Sequence, residues 1–459
     1  VCLIHSYANP VHERRVREIL TQEYPELVIS ISSDVWPEYR EYERTVTTLV
    51  DAFVKPHMRR YLDRIEDELP EKLGNKPFLV MQSSGGVLSS RQVAKKPITT
   101  ALSGPAAGVV GASIIGDLAG FKDVITLDAG GTSTDICLVE EMKPNITTGA
   151  TVGAFPVRLP MIDIHTVGTG GGSIAWIGRG GSLQVGPTSA GAEPGPMCYP
   201  NGGNKPTITD ANVVLGRLPS ELIGGGIKLN TDRARYGIEE LGKNPPKRLS
   251  VEELAEGIIE IANWSQANLI RQMTIRRGID PRDFAIISFG GLGPTLSPEI
   301  MELLQLRACI IPPSPGNLSA FGLMMVDYRS DHVFTKVVSE EDLNPKEIAA
   351  IYESLESDAR NTLMTDGVDE DDIQFVCEAD IRYEGQSTEV RVSVPVGGMI
   401  AEIVENFHAA HEQAYGYCYR GSQKIELVNF ALSGLGKVKK PDLKSTWGAK
   451  TIDAMEPTS

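Results

Sequence analysis

No apolar run in the sequence approaches the roughly 18 residues that a membrane-spanning helix needs. No signal-peptide pattern is seen either. Cysteine is sparse, with six residues (Cys2, Cys137, Cys198, Cys309, Cys377, Cys418) and no CxxC pair. That speaks against a disulfide framework and predicts reduced thiols and a cytoplasmic location. Basic charge is also short: 44 Lys and Arg face 60 Asp and Glu, a formal net charge of −16. Nucleic acids and anionic membranes both demand basic patches, so neither is an expected partner. What remains is a chain of 459 residues, 41% of them hydrophobic, enough for two or three domains with sizeable cores.

The most informative stretch is Val124 to Val139, VITLDAGGTSTDICLV. Apolar, β-branched residues on either side of a Gly-Gly turn predict a hairpin. Its turn is chemically loaded. Gly130 and Gly131 let a ligand approach the backbone and point N–H groups inward, as anion-binding concavities do. Thr132, Ser133 and Thr134 add hydroxyl donors. Asp128 and Asp135 would repel a bare phosphate, so they make sense with a hard divalent cation such as Mg²⁺ between them and it. The loop has no lysine and is not a P-loop. A polar hairpin with a purely structural glycine turn is the competing reading.

Val1–Ile4 reads as an apolar strand with nothing before it, which predicts that an N-terminal piece is missing or separate. A helix through Glu13 to Glu23, a strand from Leu27 to Ser32 and a long helix from Glu38 to Leu69 follow, the last kinked or split at Pro56. Phe78–Met81 reads as a strand running into the turn Gln82–Gly86. Ser103 is expected to cap, and Pro105 to open, an Ala/Gly-rich helix to Leu118; its N-terminus is either a plain cap or lies near a phosphate.

Residues 161 to 212 are Gly-rich and read as packed loops, since apolar residues thread through them. Asp163 and His165, two apart on one side of a short strand, fit a metal pair, a base with its orienter, or a polar surface pair. Cys198 reads as structural. Ser250 with Glu253 predicts a capping box ahead of a helix from Val251 to Arg277, ended by Gly278. The strand Phe284–Phe289 then enters a second glycine turn, Gly290-Gly-Leu-Gly-Pro294, where Gly290 and Gly291 suit a flat base lying on the backbone. Near the C-terminus, Glu389–Val394 alternates as a strand does and Ile400–Tyr415 reads as an amphipathic helix bearing His408 and His411, for which a structural role is favoured over a metal. The last dozen residues look disordered.

Two glycine turns about 160 residues apart, with a long helix between, resemble the phosphate and adenosine motifs of the actin, Hsp70 and sugar kinase superfamily. More specifically, the chain resembles the A subunit of the hydantoinase/oxoprolinase family, which includes the ATP-binding subunits of acetone and acetophenone carboxylases, and caprolactamase. The stretches that carry this are Asn9–Arg15, Ser103–Gly108, Leu127–Asp135, Asp163–Gly168 with Gly170–Ala175, Gly191–Pro196, Thr209–Asn212, Gly290–Pro294, Arg382–Ser387 and Phe407–Glu412 with Tyr415–Tyr417. The sequence departs from the family at two points. The family's N-terminal domain with a first DxGGT hairpin is missing, and Leu292 and Leu296 stand where the adenosine loop usually has Ala and His.

The resemblance implies an α/β fold: an actin/Hsp70/sugar-kinase-like (ribonuclease H-like) ATPase core with a smaller α+β C-terminal domain. The expected division is residues 1–97 as the remainder of an N-terminal lobe, 98–330 as the core and 331–459 as the C-terminal domain. It also implies an ATP-dependent subunit that activates a cyclic amide (hydantoin, 5-oxoproline or another lactam) by phosphorylation, with a hydantoinase B-type subunit or domain as partner. Gly130, Gly131 and Thr132 would then donate to phosphate, Asp128 and Asp135 would act through Mg²⁺, and Gly290, Gly291 and Gly293 would hold the adenosine. Asp163 and His165 would serve the substrate side. A ketone carboxylase subunit, a stand-alone small-molecule kinase and a non-catalytic scaffold are the alternatives.

Overall fold

The computed structural model describes residues 1–69, 77–200, 202–222, 226–243, 249–395 and 400–441. Its central hairpin pairs Val124–Ala129 with Thr134–Glu140, Val124 opposite Val139 and Ala129 opposite Thr134. Side chains alternate across the two faces, and both faces are covered. Ile125, Leu127, Ile136 and Leu138 meet the helices Val251–Ile275 and Gly293–Leu304, while Val124, Cys137 and Val139 meet the helix Ser103–Leu118. None of these seven strand residues is more than 1% exposed. Each apolar side chain so buried contributes roughly 1.5–3 kcal/mol, which makes the hairpin the stable centre of the molecule.

Ala285–Phe289 lies parallel to Val124–Ala129 with Phe289 level with Asp128, and Cys309–Ile310 follows in parallel beside it. Lys143–Pro144 and His165–Val167 pair antiparallel with Thr134–Glu140 on the other side. An antiparallel meander extended by two parallel strands, with helices on both faces, is the ribonuclease H-like arrangement of the expected ATPase core. A parallel neighbour requires a crossover, and Val251–Ile275 supplies it. The Ser250 and Glu253 side chains cap each other's backbone at its start, and Gly278, at φ +67°, turns the chain away after its end.

A second, six-stranded sheet runs in the order Leu79–Met81, Val87–Ser89, Tyr328–Ser339, Ile425–Gly436, Ile373–Tyr383, Val390–Ser393. Helices Pro345–Thr365 and Ile400–Tyr415 cover one of its faces through Leu355, Ala359, Ile403 and Phe407. Strand Tyr328–Ser339 runs through position 331, and Val87 pairs with Tyr328, so residues from both ends of the chain share this sheet.

Several local expectations give way to side-chain chemistry. Val1–Ile4 and Leu27–Ser32 form no ladder. The buried carboxylate of Glu13 instead accepts from the Leu3 amide (2.7 Å), the Ser33 amide (2.9 Å) and the Ser32 hydroxyl (2.7 Å), and buried Arg44 donates to the Leu3 carbonyl at 2.9 Å. Ser32–Val35 is accordingly a single helical turn. Burial alone would raise the Glu13 pKa, but these donors outweigh it and hold the group below its ordinary value. Helix Glu41–Glu68 is uninterrupted, with Pro56 inside it, and Ser103 makes no capping bond because left-handed Leu102 (φ +59°) occupies the cap position. Strands His165–Val167, Ser173–Ile177 and Leu183–Ser189 order much of the Gly-rich segment that read as loops. The tail expected to be disordered lies outside the described residues.

Helices Ser103–Leu118 and Leu318–Leu323 touch through glycine: a Cβ on Gly322 would lie 1.9 Å from the Ala107 carbonyl oxygen, whereas one on Gly104 would meet nothing within 4 Å. Gly322→Ala should therefore lower stability by about 3 kcal/mol or more, and Gly104→Ala should change it by less than about 0.5 kcal/mol. Thermal melts of the two variants check this; equal melting points would refute the close crossing.

Candidate functional site

Asp128 and Asp135 stand directly opposite each other in the hairpin, so both carboxylates project from the same face. Helix Ser103–Leu118 lies over that face. A Cβ on Gly116 would sit 3.0 Å from Val124, and one on Gly108 would sit 2.6 Å from Phe289. The helix therefore runs against the strand direction, and its first turn, uncapped by any side chain, points to the Asp128 end. Uncapped amides there favour an anion.

The hairpin tip is held by a glycine triplet. Gly171 N–H donates to Gly130 O at 2.9 Å, Gly172 N–H to Gly131 O at 2.6 Å and Gly170 N–H to Thr132 O at 3.4 Å. A Cβ on Gly170 would stand 2.5 Å from the Thr132 backbone, so only glycine fits. With its carbonyls bound, the tip presents its amides. That of Gly130 is used within the turn, on Ser133 O at 3.1 Å. Among the described residues, those of Gly131, Thr132 and Ser133 donate to no backbone carbonyl. A side chain on Gly131 would enter open space.

The second glycine turn lies against the first. Gly290 takes φ +80°, and a Cβ there would be 2.5 Å from both Asp128 Oδ1 and the Ala129 carbonyl oxygen. Leu292 N–H donates to that carbonyl at 2.9 Å. Gly291 is exposed with nothing near its Cβ position. Gly293, by contrast, is buried at the start of its helix, 2.7 Å from Ser288 Oγ by its Cβ position, and serves close packing.

Thr134 is taken out of the donor set expected from sequence. It pairs with Ala129, one step along the alternation from the carboxylates, and so faces the opposite side. Fully buried, its hydroxyl donates to Thr169 O at 3.2 Å and accepts from Gln266 Nε2 at 3.1 Å. Asp163 and His165 are brought together, Oδ1 to Nε2 at 3.2 Å, and Arg277 joins them on Asp163 Oδ2 at 2.5 Å. Burial pushes the Asp163 carboxyl up, but His165 and Arg277 outweigh it and hold it below its usual range. His165 pairs with Ile136 and thus projects from the face opposite Asp135. That ion-pair cluster is separated from the two carboxylates by the sheet itself.

Asp128 has no hydrogen-bond or ion-pair partner among the described residues. Among the described residues, Asp135 accepts only from Thr166 Oγ1, at 2.6 Å. Burial, with Asp135 opposite, pushes the Asp128 carboxyl up to about 6, and burial also raises Asp135. A bound cation would relieve the cost of ionising such a carboxylate pair. Among the described residues no three His, Cys, Asp or Glu side chains form a metal-binding group, so a divalent ion here would take two carboxylates and complete its shell from water and ligand oxygens. Cys198 is buried, its thiol pushed well above the ordinary range by burial and the nearby Asp210, and is structural. His408 bonds Tyr383 Oη at 2.8 Å, and His411 bonds the Tyr417 carbonyl at 2.9 Å and Gln386 at 3.1 Å, so both imidazoles are structural too.

The sequence reading missed Gly170–Gly172 as the support of the tip, although three successive glycines are a signal for close backbone approach. It missed Gln266 as well, whose mark is a polar residue between Ala262 and Ile270 on a helix core face.

The Hydantoinase/oxoprolinase family model matches residues 44–332, and that of the Hydantoinase/oxoprolinase C-terminal domain matches 338–448. The chain belongs to this family. Caprolactamase subunit alpha of Pseudomonas jessenii is 35% identical over 452 residues, covering 96% of the chain and 64% of that subunit. An uncharacterised protein of Methanocaldococcus jannaschii is 39% identical over 456 residues, covering 97% of the chain and 66% of its own length. The crystal structure of ATP-dependent caprolactamase from Pseudomonas jessenii superposes with a TM-score of 0.81 at 35% identity over 95% of this chain and 64% of that one. Nucleotide-free acetone carboxylase gives 0.75 at 27% identity over 96% and 64%. The chain thus spans just under two thirds of these relatives.

The raised Asp128 pKa has a sign that can be checked. The folded state keeps this proton up to about pH 6 while the unfolded chain loses it near the ordinary value of 3.8, so stability from this group falls as pH rises through that window. Asp128→Asn should raise the melting temperature of the metal-free protein at pH 7 and leave it nearly unchanged at pH 4, as melts across that range will show.

Proposed function

We propose that the chain is the nucleotide-binding part of an ATP-dependent enzyme that activates a cyclic amide for ring opening. The observation that carries this is the contact of two glycine turns at one sheet edge, with free amides at Gly131, Thr132 and Ser133 beside a carboxylate pair that meets no cation among the described residues. Phosphoryl transfer is mainly positioning plus neutralisation of charge, and these groups suit both. The tip amides would hold phosphate oxygens. Asp128 and Asp135 would hold Mg²⁺ directly or through water, the ion supplying charge neutralisation. Gly290 and Gly291 would lie under the adenosine, with Gly293 fixing their helix.

The amide oxygen would take the terminal phosphoryl group as ADP leaves. Attack of one water on the activated carbon would then expel the ring nitrogen as an amine and leave an acyl phosphate, which a second water would hydrolyse to carboxylate and inorganic phosphate. Caprolactamase subunit alpha and 5-oxoprolinase 1 of Arabidopsis thaliana, 32% identical over 458 residues, favour this reading by their names. The acetophenone carboxylase gamma subunit of Aromatoleum aromaticum, 34% identical over 414 residues, favours a ketone carboxylase subunit as the second reading.

Relatives named as subunits support a partner, for which we propose a hydantoinase B-type subunit or domain, and the unmatched length of the relatives supports an N-terminal domain completing the phosphate clamp. On this reading residues 1–97 complete the N-terminal lobe, 98–330 form the ATPase core and 331–459 the C-terminal domain, in a cytoplasmic complex. Asp163 and His165, across the sheet from the carboxylates, are assigned to shaping the core and not to the reacting centre.

The test is ADP release by the complete complex with a lactam, with and without bicarbonate. Asp128→Asn should cut release at least about 100-fold with the fold intact. Release that requires bicarbonate would transfer the assignment to the carboxylase reading, and unchanged turnover in the variant would refute the carboxylate role.

A further inference from the structure

One cavity holds none of the residues assigned so far. About 690 Å³ in volume, it lies between the turn Ser32–Val35, helices Glu41–Glu68 and Pro345–Thr365, the segment after helix Ser90–Val93, and strand Tyr328–Ser339. That volume is in the range of small-molecule sites. A narrower extension of about 100 Å³ shares Trp36, Lys96 and His332 with it and reaches Gln82 and Thr99.

Charge in the cavity runs against the rest of the chain. Six Lys and Arg side chains and three Asp line it, an excess of three positive charges in a protein of net charge −16. Two of the carboxylates are already matched, Asp34 by Arg17 and Asp331 by Arg329 at 2.9 Å. Asp358 offsets one further cation. Arg59 and Arg91, exposed at the rim, and Lys96, recessed within, make no ion pair among the described residues. Lysine is seldom recessed unless paired, because its ammonium must give up water. Burial accordingly lowers the Lys96 pKa, with Lys55 adding to the effect and Asp34, Asp51 and Asp358 opposing it. His332 does not compete for an anion, since burial holds its pKa at about 4 and its Nε2 is engaged with Ser330 Oγ at 2.9 Å.

A second, independent feature lies in the extension. Gln82 is only 6% exposed, yet its side-chain oxygen has no hydrogen-bond partner among the described residues. An orphaned buried acceptor is destabilising unless a ligand or water completes it. A carboxamide is complementary to another amide edge, donating to its carbonyl and accepting from its N–H.

We propose that this cavity is a second ligand site, taking a small molecule with a carboxylate or phosphate group paired to Lys96 and an amide-like edge set on Gln82. Trp36, 5% exposed and fixed by its indole N–H to Glu38 at 2.6 Å, provides a rigid wall for the apolar part of such a molecule. The site stands apart from the nucleotide assignment and does not depend on it.

Calorimetric titration of the chain in the absence of nucleotide tests the site with 5-oxoproline, which carries both groups, against 2-pyrrolidinone, the same ring without the carboxylate, and against inorganic phosphate. Binding of 5-oxoproline should exceed that of 2-pyrrolidinone by at least about tenfold, and Lys96→Met should erase the difference. Gln82→Leu should weaken both lactams. Binding of phosphate alone, also lost in Lys96→Met, would support the oxyanion site and name phosphate as its source. No binding of any probe, equal binding of the two lactams without phosphate binding, or binding indifferent to Lys96→Met would overturn the proposal. The melting temperature of Lys96→Met separates the two roles of this lysine. Relief of a recessed unpaired charge should leave it unchanged or raised, whereas a fall with ligand binding intact would make Lys96 structural.

Discussion

The candidate site depends on a backbone clasp: the amides of Gly170–Gly172 donating to the carbonyls of Gly130–Thr132. A tight turn between two strands has its amides and carbonyls on opposite sides, and either set could face the cleft. By occupying the carbonyls, the triplet fixes which set is presented. It also explains why the loop can do without lysine, since preorganised amides attract anions without any side-chain charge. The parallel alignment of Phe289 with Asp128 does the rest, because it delivers the second glycine turn to the same sheet edge. Two interactions far apart in the chain thus meet at one spot a few ångströms wide.

Burial places an electrostatic cost on that spot. Asp128 and Asp135 project side by side on a face that lower down is mostly apolar core, and no cation among the described residues pairs with them. Like charges so placed are tolerated where something else neutralises them, and strain of this kind gathers at functional positions. The Asp163, His165 and Arg277 cluster shows the opposite solution. There the partners are internal, the carboxylate stays ionised, and the group is satisfied without any ligand.

Much of this was legible in the sequence. The hairpin, the crossover helix with its capping box, and both glycine turns announced themselves through periodicity and glycine placement, because in each the local residue choice agrees with the final structure. The readings that failed concern polar side chains acting at long range. Nothing local says that Glu13 will collect amides from residues 3 and 33, or that contact between Val1–Ile4 and Leu27–Ser32 will be limited to Val1, bonded to Ser30 O and Ser32 N–H. Thr134 was counted with its neighbours because its hydroxyl is equivalent in sequence; only strand alternation assigns it to the buried face. Gln266 and the glycine triplet carried signals of their own, a polar residue in an apolar stripe and three glycines in a row, but their targets lie 132 and about 40 residues away.

Strand Tyr328–Ser339 pairs with Ile425–Gly436 along nearly its whole length and with Val87 at its first residue, and Arg329 packs where a Cβ on Gly86 would be, 2.1 Å away. The N-terminal strand Val87–Ser89 and the C-terminal strands are therefore joined in one sheet by a continuous ribbon, which helix Leu318–Leu323 connects to the central hairpin's side of the molecule. Any rearrangement around the glycine turns must either carry the far sheet with it or be absorbed in the few residues between Leu323 and Tyr328, which makes the distal domain a natural lever on the cleft.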